Sequence, residues 1–244
     1  LRPLLKVYHR SEVRGLENIP LGGALVVSNH SGGMLPMDVP IFSSHFYDKY
    51  GYDRPVYTLS HAMLMVGPTA DFFKKTGYIL ASHENADEAL RSGGLVVVFP
   101  GGDYDVYRPS TDANKIDFDG RKGYVKAAIN AGVPIVPMVG IGGQETQIFL
   151  TRGEKIAKAL GPIARAARAK VVPLSVGLPF GLSAVLPFNL PLPSKIVMQV
   201  LPPIDIHAEF GEEPDIDAVD ARVRKVMQDA LDELAEERRF PVLG

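Results

Sequence analysis

The stretch VVSNHSGGMLPMDVPIF, residues Val26–Phe42, sets a histidine, His30, just after an apolar run, then two glycines, then a carboxylate, Asp38. An imidazole is the side chain best suited to take a proton near neutral pH. A carboxylate bonded to one ring nitrogen holds the tautomer that leaves the other nitrogen free as a base. Gly32 and Gly33 let the chain between the two residues fold back. Two plainer roles stand beside this one: a structural histidine, and an aspartate that only caps a helix. A second stretch, GGLVVVFPGGDYDVYRPS, ends its apolar run in Pro100-Gly101-Gly102. Glycines at a strand end bring backbone N–H groups close to an oxyanion or a phosphate, or they simply make a turn.

Such residues act together only if strands deliver them to one edge. Short apolar runs predict strands at Ala24–Ser28, Val56–Ser60, Tyr78–Ala81, Leu95–Phe99, Pro134–Val139, Val171–Ser175 and Lys195–Leu201. Several are β-branched and apolar on both faces, as in a sheet covered on two sides. Helical patterns cover Asp38–Lys49, Ala62–Lys75, Glu84–Arg91, Arg121–Ala131, Arg152–Ala169 and Ile216–Arg239, with Gly161-Pro162 kinking or splitting the fifth. In the last, Val219, Val223, Val226, Met227, Ala230 and Leu234 form one stripe, and Arg238 and Arg239 suit its C-terminal end. The alternation predicts an α/β fold, a mostly parallel sheet of about seven strands covered by helices. Beyond the carboxyl ends of such strands is where ligands bind, and His30 stands there. With no repeat and no linker, residues 1–244 are expected to form a single domain.

Composition narrows the chemistry. The chain has 46% hydrophobic and 22% charged residues, a net charge of −2 and no cysteine. Thiol redox chemistry, disulfides, thiolate nucleophiles and cysteine-based zinc sites are excluded, and no metal site is expected. The charge gives nucleic acid no general attraction. The chain opens on Leu1 instead of methionine, which leaves room for an upstream segment, and nothing in it reads as a signal peptide. From Val171 to Ser194 there is no charge, but Pro173, Pro179, Pro187, Pro191 and Pro193 argue against a spanning helix. A buried strand followed by an apolar, partly exposed loop is expected. Just upstream, Arg152, Lys155, Lys158, Arg165, Arg168 and Lys170 face one acid, Glu154, among apolar residues. A basic amphipathic segment beside an apolar loop fits a membrane surface, and a solvated helix face is the alternative.

These pieces together resemble the glycerolipid acyltransferases, the lysophospholipid acyltransferase superfamily, and within it the monoacylglycerol and diacylglycerol acyltransferase branch. The resemblance covers about residues 13–206. It rests on the ordered set Gly15-Leu16-Glu17-Asn18-Ile19-Pro20, Asn29-His30 with Asp38, Gly77-Tyr78-Ile79, Phe99-Pro100-Gly101-Gly102, Arg121-Lys122-Gly123-Tyr124 and Val133-Pro134-Ile135-Val136-Pro137.

The resemblance implies a peripheral membrane enzyme on the cytoplasmic face. It would move a fatty acyl group from an acyl thioester, acyl-CoA or an acyl carrier protein, to a hydroxyl of a glycerolipid or lysolipid. No cofactor is implied, since acyl-CoA is a substrate. His30 would be the general base and Asp38 its partner. Asn29, Pro100, Gly101, Gly102, Arg121 and Lys122 would meet substrate, with the N–H groups near Gly101 and Gly102 receiving the oxyanion or the acceptor. Family members usually place four residues between histidine and aspartate; here there are seven, so the loop must bulge. Phosphate-acylating members carry Glu where this chain has Gly101 and Arg where it has His83, which turns the expectation away from glycerol 3-phosphate.

Competing motifs are missing. There is no Gly-x-Ser-x-Gly elbow and no P-loop, and in Gly140-Ile141-Gly142-Gly143 the last glycine of a dinucleotide fingerprint is replaced by Glu145. A lipid-binding protein without turnover, or a thioesterase-like hydrolase with water as acceptor, remains the alternative.

Overall fold

In the computed structural model, the residues described are 2–33, 35–162, 171–184, 186–187, 189–240 and 242. Among these residues ten strands form: β1 Glu12–Arg14, β2 Ala24–Ser28, β3 Val56–Ser60, β4 Tyr78–Leu80, β5 Leu95–Val98, β6 Ile135–Ile141, β7 Ile148–Thr151, β8 Leu174–Gly177, β9 Gly181–Ala184 and β10 Val197–Val200. Among the described residues the α-helices are α1 Asp38–Tyr50, α2 Ala70–Lys75, α3 His83–Arg91, α4 Gly102–Val106, α5 Gly123–Ala131, α6 Glu154–Leu160, α7 Ile206–Phe210 and α8 Ile216–Glu237.

The main sheet has seven strands in the order β1-β10-β6-β2-β5-β3-β4. Every adjacent pair is parallel except β10 with β6. The fold is therefore the mostly parallel, helix-covered α/β sheet that the sequence predicts. Its two cores follow from the two-residue period of a strand. Ala24, Val26, Leu95, Val97, Val136 and Met138 pack against Ile41, Phe42 and Phe46 of α1. Their neighbours Leu25, Val27, Val96 and Ile135 point the other way, onto Leu90 of α3, Val125 of α5 and the Val219, Val223, Met227, Leu234 stripe of α8. β2 is buried along its whole length at the centre of the sheet.

Two expectations change. The run Val171–Ser175 was expected in the main sheet. Its residues contribute instead to β8 of a separate antiparallel sheet, β7-β8-β9. Pro173 and Pro179 flank this strand, and proline cannot donate to a central ladder. The place in the main sheet goes to β1, whose three residues pair with β10. At the end of α8, Arg238 is the C-cap residue, and its side chain donates to Glu145 at 2.7 Å. Of the helix expected over Arg152–Ala169, α6 covers Glu154–Leu160. Residues 163–170, with Arg165, Arg168 and Lys170, lie outside the described residues.

Candidate active site

The ladder of β2 ends at Ser28, paired with Met138 of β6. Beyond it the backbone must find other partners, because buried N–H and C=O groups do not stay unpaired. Asn29 supplies one set. Its side-chain amide donates to the Gly140 carbonyl and accepts from the Gly140 N–H, both at 2.9 Å, and donates to the His30 carbonyl at 3.0 Å. Asn29 is fully buried, so it fastens the strand exit to β6 from beneath the site.

His30 follows. Its Nδ1 lies 2.9 Å from Asp38 Oδ2, and its ring stacks on Phe99 at 4.0 Å with 8° between the planes. The imidazole is 14% exposed and the carboxylate 1%. A carboxylate accepts hydrogen bonds, so Nδ1 carries the proton and Nε2 is left with a lone pair. The other oxygen of Asp38 accepts the Ser31 N–H at 3.1 Å. Asp38 is the first residue of α1, Met37 precedes it as N-cap, and no side chain caps the helix. The capping role for Asp38 is therefore not the one the structure gives it.

The seven-residue spacer closes because its glycines lie flat on a neighbouring turn. Gly32 and Gly33 have φ of 104° and 96°. A Cβ at Gly32 would stand 2.3 Å from the Gln144 side chain, and one at Gly33 2.7 Å from Thr146 Oγ1. Gly32 and Gly33 thus lie against the turn after β6, and His30 and Asp38 still meet.

The second loop, at the end of β5, has a different character from the one expected. Pro100 and Gly101 are buried. A Cβ at Gly101 would stand 2.4 Å from Asp105 Cβ, so this glycine permits close packing and does not open a pocket. The Gly102 N–H donates to the Phe99 carbonyl at 3.1 Å, which removes it as a donor to an oxyanion. Arg121 reaches the loop, donating to the Pro100 and Gly101 carbonyls at 3.2 and 2.9 Å, with Asp103 and Asp119 each 3.3 Å from its other terminal nitrogen. Lys122 turns away and pairs with Asp217 of α8 at 2.8 Å. The structure thus gathers His30, Asp38, Pro100, Gly101, Gly102 and Arg121 at the carboxyl ends of β2 and β5, with Asn29 below and Lys122 outside.

Two groups near His30 had no part in the sequence expectations. Asp105 Oδ2 accepts the His30 N–H at 2.5 Å, and Arg108 donates to the His30 carbonyl at 2.9 Å and to Asp105 Oδ1 at 2.6 Å. Burial raises the Asp105 carboxyl, while Arg108 and His30 pull it down. Tyr78, at the start of β4, is pushed up to about 12 by burial and then by the Asp38 charge. The phenol therefore stays neutral over the ordinary pH range.

Around this end the surface is apolar. In the β7-β8-β9 sheet Ile148, Val176 and Leu182 are in register. Ile148 and Leu182 are exposed, as are Leu150, Leu178, Leu186 and Leu190. Its other side is buried and mixes Phe149 with polar residues: Gln147 donates to Ser175 at 2.6 Å and Asn189 to Ser183 at 3.3 Å. Lys155 and Lys158 of α6 are exposed beside it in sequence, whereas Arg152 lies over the Tyr104 ring at 3.8 Å. Among the described residues no helix is long and apolar enough to cross a membrane.

Comparison with known proteins gives a consistent set. The family model described as Acyltransferase matches residues 10–140. An uncharacterized protein of Mycobacterium leprae is 31% identical over 254 residues, covering 100% of this chain and 66% of that protein. An uncharacterized protein of Mycobacterium tuberculosis is 35% identical over 167 residues, 66% of this chain and 46% of its own length. The mouse (Mus musculus) protein named DGAT1/2-independent enzyme synthesizing storage lipids is 32% identical over 132 residues, 54% of this chain and 39% of that protein. The chain spans about half the length, or less, of most curated relatives it matches. Among solved structures, the 1-acyl-sn-glycerophosphate (LPA) acyltransferase PlsC from Thermotoga maritima superposes with a TM-score of 0.57 at 18% identity, covering 96% of this chain and 79% of that one. That likeness is one of fold.

Proposed function

Because this chain belongs to the glycerolipid acyltransferase superfamily, we propose that it is an O-acyltransferase moving a fatty acyl group from acyl-CoA to the hydroxyl of a glycerolipid or lysolipid, with His30 as general base. The observation that carries this is the His30–Asp38 pair, 2.9 Å apart beyond the carboxyl end of the central strand. Nε2 of His30 takes the acceptor's hydroxyl proton as its oxygen attacks the thioester carbonyl. Asp38 stabilises the imidazolium that forms, as a buried carboxylate does. Collapse of the tetrahedral species breaks the C–S bond, and His30 returns its proton to the departing sulfur. The products are an ester and a free thiol, and no acyl-enzyme is needed. An acyl carrier protein in place of coenzyme A would leave these steps unchanged.

The acceptor in this reading is neutral or a lysolipid. A phosphomonoester wants an arginine fork with free donors. Arg121 already faces two backbone carbonyls and two carboxylates, and Lys122 is tied to Asp217. The protein in this reading lies on a membrane surface at the cytoplasmic face. Support comes from the outward apolar side of β7-β8-β9 with Lys155 and Lys158 beside it in the chain, a combination suited to anionic lipid.

The test is competition. Monoacylglycerol, diacylglycerol, a lysophospholipid and glycerol 3-phosphate are offered together with one long-chain acyl-CoA, and the products are read by lipid mass spectrometry. An acylated neutral or lysolipid product is expected. Preference for glycerol 3-phosphate refutes the acceptor assignment. Lipid binding without any product favours a non-catalytic lipid binder, and free fatty acid alone favours a hydrolase.

A further inference from the structure

Arg108 is the bulkiest fully buried side chain of the described residues, and it lies with Asp105 inside a core that is otherwise mostly apolar. The pair is 2.6 Å apart, with Arg108 2% and Asp105 1% exposed. A buried ion pair is a poor way to gain stability, because the desolvation cost of both charges offsets their attraction. This pair has another property. Its free bonding capacity is directed at a single peptide unit on each side of one residue: Asp105 accepts the His30 N–H at 2.5 Å, and Arg108 donates to the His30 carbonyl at 2.9 Å. Arg108 is itself anchored by two bonds to the Ala113 carbonyl, at 3.0 and 2.8 Å. Because the β2 ladder stops at Ser28, His30 is held by side chains: Asp105 takes its N–H, and Arg108 shares its carbonyl with the Asn29 amide.

We propose that Asp105 and Arg108 are positioning residues for His30: a buried clamp on both its backbone polar groups that aims the imidazole at Asp38 and at the acceptor hydroxyl. This rests on the reading of His30 as the base. The clamp ties the end of β2 to the segment after β5, while Asn29 ties it to β6, so the histidine is suspended between the two neighbouring strands. Its ring is then trapped between Phe99 and the carboxylate of Asp38. General-base catalysis is steep in geometry, and a displacement of about 1 Å costs on the order of 10² in rate.

The experiment uses Asp105→Asn, which is isosteric and keeps an acceptor, and Arg108→Lys, which keeps the charge and loses the fork. Each is made alone and in a His30→Ala background. Folding is checked by circular dichroism and thermal melting. In the His30 background each variant is expected to lower kcat by about 10²-fold, with KM within about threefold. In the His30→Ala background the same change should alter the residual rate by less than about twofold, since residues that act through one group do not add. A second readout needs no turnover: the proton resonance of His30 Nδ1–H, identified by its loss in His30→Ala, should broaden or shift in both variants. Equal losses in both backgrounds would make the pair a general structural element and overturn the proposal. So would wild-type kcat in a folded variant, or failure of both variants to fold. If His30→Ala itself retains full activity, the reading of His30 as base fails instead. The resonance then decides the clamp on its own, and an unmoved signal overturns it.

Discussion

Asp38→Asn separates a catalytic carboxylate from a structural one. In the native site Asp38 Oδ1 accepts the Ser31 N–H and Oδ2 faces His30 Nδ1. Asparagine can keep the Ser31 bond with its oxygen, but it then presents an NH₂ group to His30. That group is a donor, so it selects the tautomer with Nδ1 unprotonated and the proton on Nε2, which cannot act as a base. The charge is lost as well. Opposite unit charges 2.9 Å apart, at an effective dielectric constant of about 20, attract by about 6 kcal/mol. With the imidazolium about half formed in the transition state, about 3 kcal/mol is forfeited, or roughly 10² in kcat. The wrong tautomer adds to this, up to on the order of 10⁴ in all. Stability should change little, by about 1 kcal/mol or less, because the Ser31 bond survives and the helix is not capped by this side chain. The assay is thiol release from acyl-CoA read with a thiol reagent. It suits this protein because the chain has no cysteine to react. A folded Asp38→Asn enzyme with kcat within threefold of wild type would refute the pairing as a catalytic device. A large fall in melting temperature with kcat unchanged would leave Asp38 a purely structural residue.

Gly32→Ala should lose about 1–3 kcal/mol of stability and also lower turnover, since its φ is 104° and its Cβ meets Gln144; denaturant unfolding and kcat report both. Replacing Leu178 and Leu182 by serine should weaken vesicle binding by about 1–2 kcal/mol per residue with little change in melting, since both already face solvent; Lys155→Gln and Lys158→Gln should each remove roughly 1 kcal/mol on anionic vesicles and nothing on neutral ones. His9 is buried and its pKa lies below 6.5, first through desolvation, so the unfolded chain takes up that proton before the folded one. Stability from this residue is full above about 6.5 and falls as pH drops through 6.5 toward the folded value, by at most about 1.4 kcal/mol per pH unit. His9→Asn should flatten that slope in pH-dependent melting.

What the sequence conveyed depended on how local the physics was. β2, β5 and β6 were visible because each is an apolar run buried on both faces for almost its whole length, and α8 because its stripe repeats at helical spacing. β1 was invisible: Glu12-Val13-Arg14 has no apolar pattern, and only β10 makes it a strand. β8 was visible as a strand but not its sheet, since Ser175 inside and Val176 in register with Leu182 reverse the usual sidedness. His30 and Asp38 could be paired on residue chemistry alone. Asp105 and Arg108 could not, although they lie within the second stretch that drew attention. An aspartate and an arginine at the end of a short polar segment ordinarily face water, and nothing in their types foretells a dry interior or the peptide that they grip. The partners of Arg121 and Lys122 were hidden for a related reason: Asp103 and Asp217 are distant in sequence and are brought to them only by the fold.

In the proposed membrane-bound reading, the outward apolar side of the β7-β8-β9 sheet has a kinetic consequence. It follows the carboxyl end of β6, the same edge of the main sheet from which His30 projects. A protein resting on lipid through that sheet has its base facing the layer in which a long-chain acceptor already lies. The acceptor then need not leave the bilayer, and the encounter takes place in two dimensions. Velocity in such an arrangement follows the mole fraction of acceptor in the surface and not its concentration in the bulk. Inert lipid added at constant acceptor acts as a diluent of substrate, while diluting the vesicles at constant composition leaves the bound enzyme with the same surface to work on.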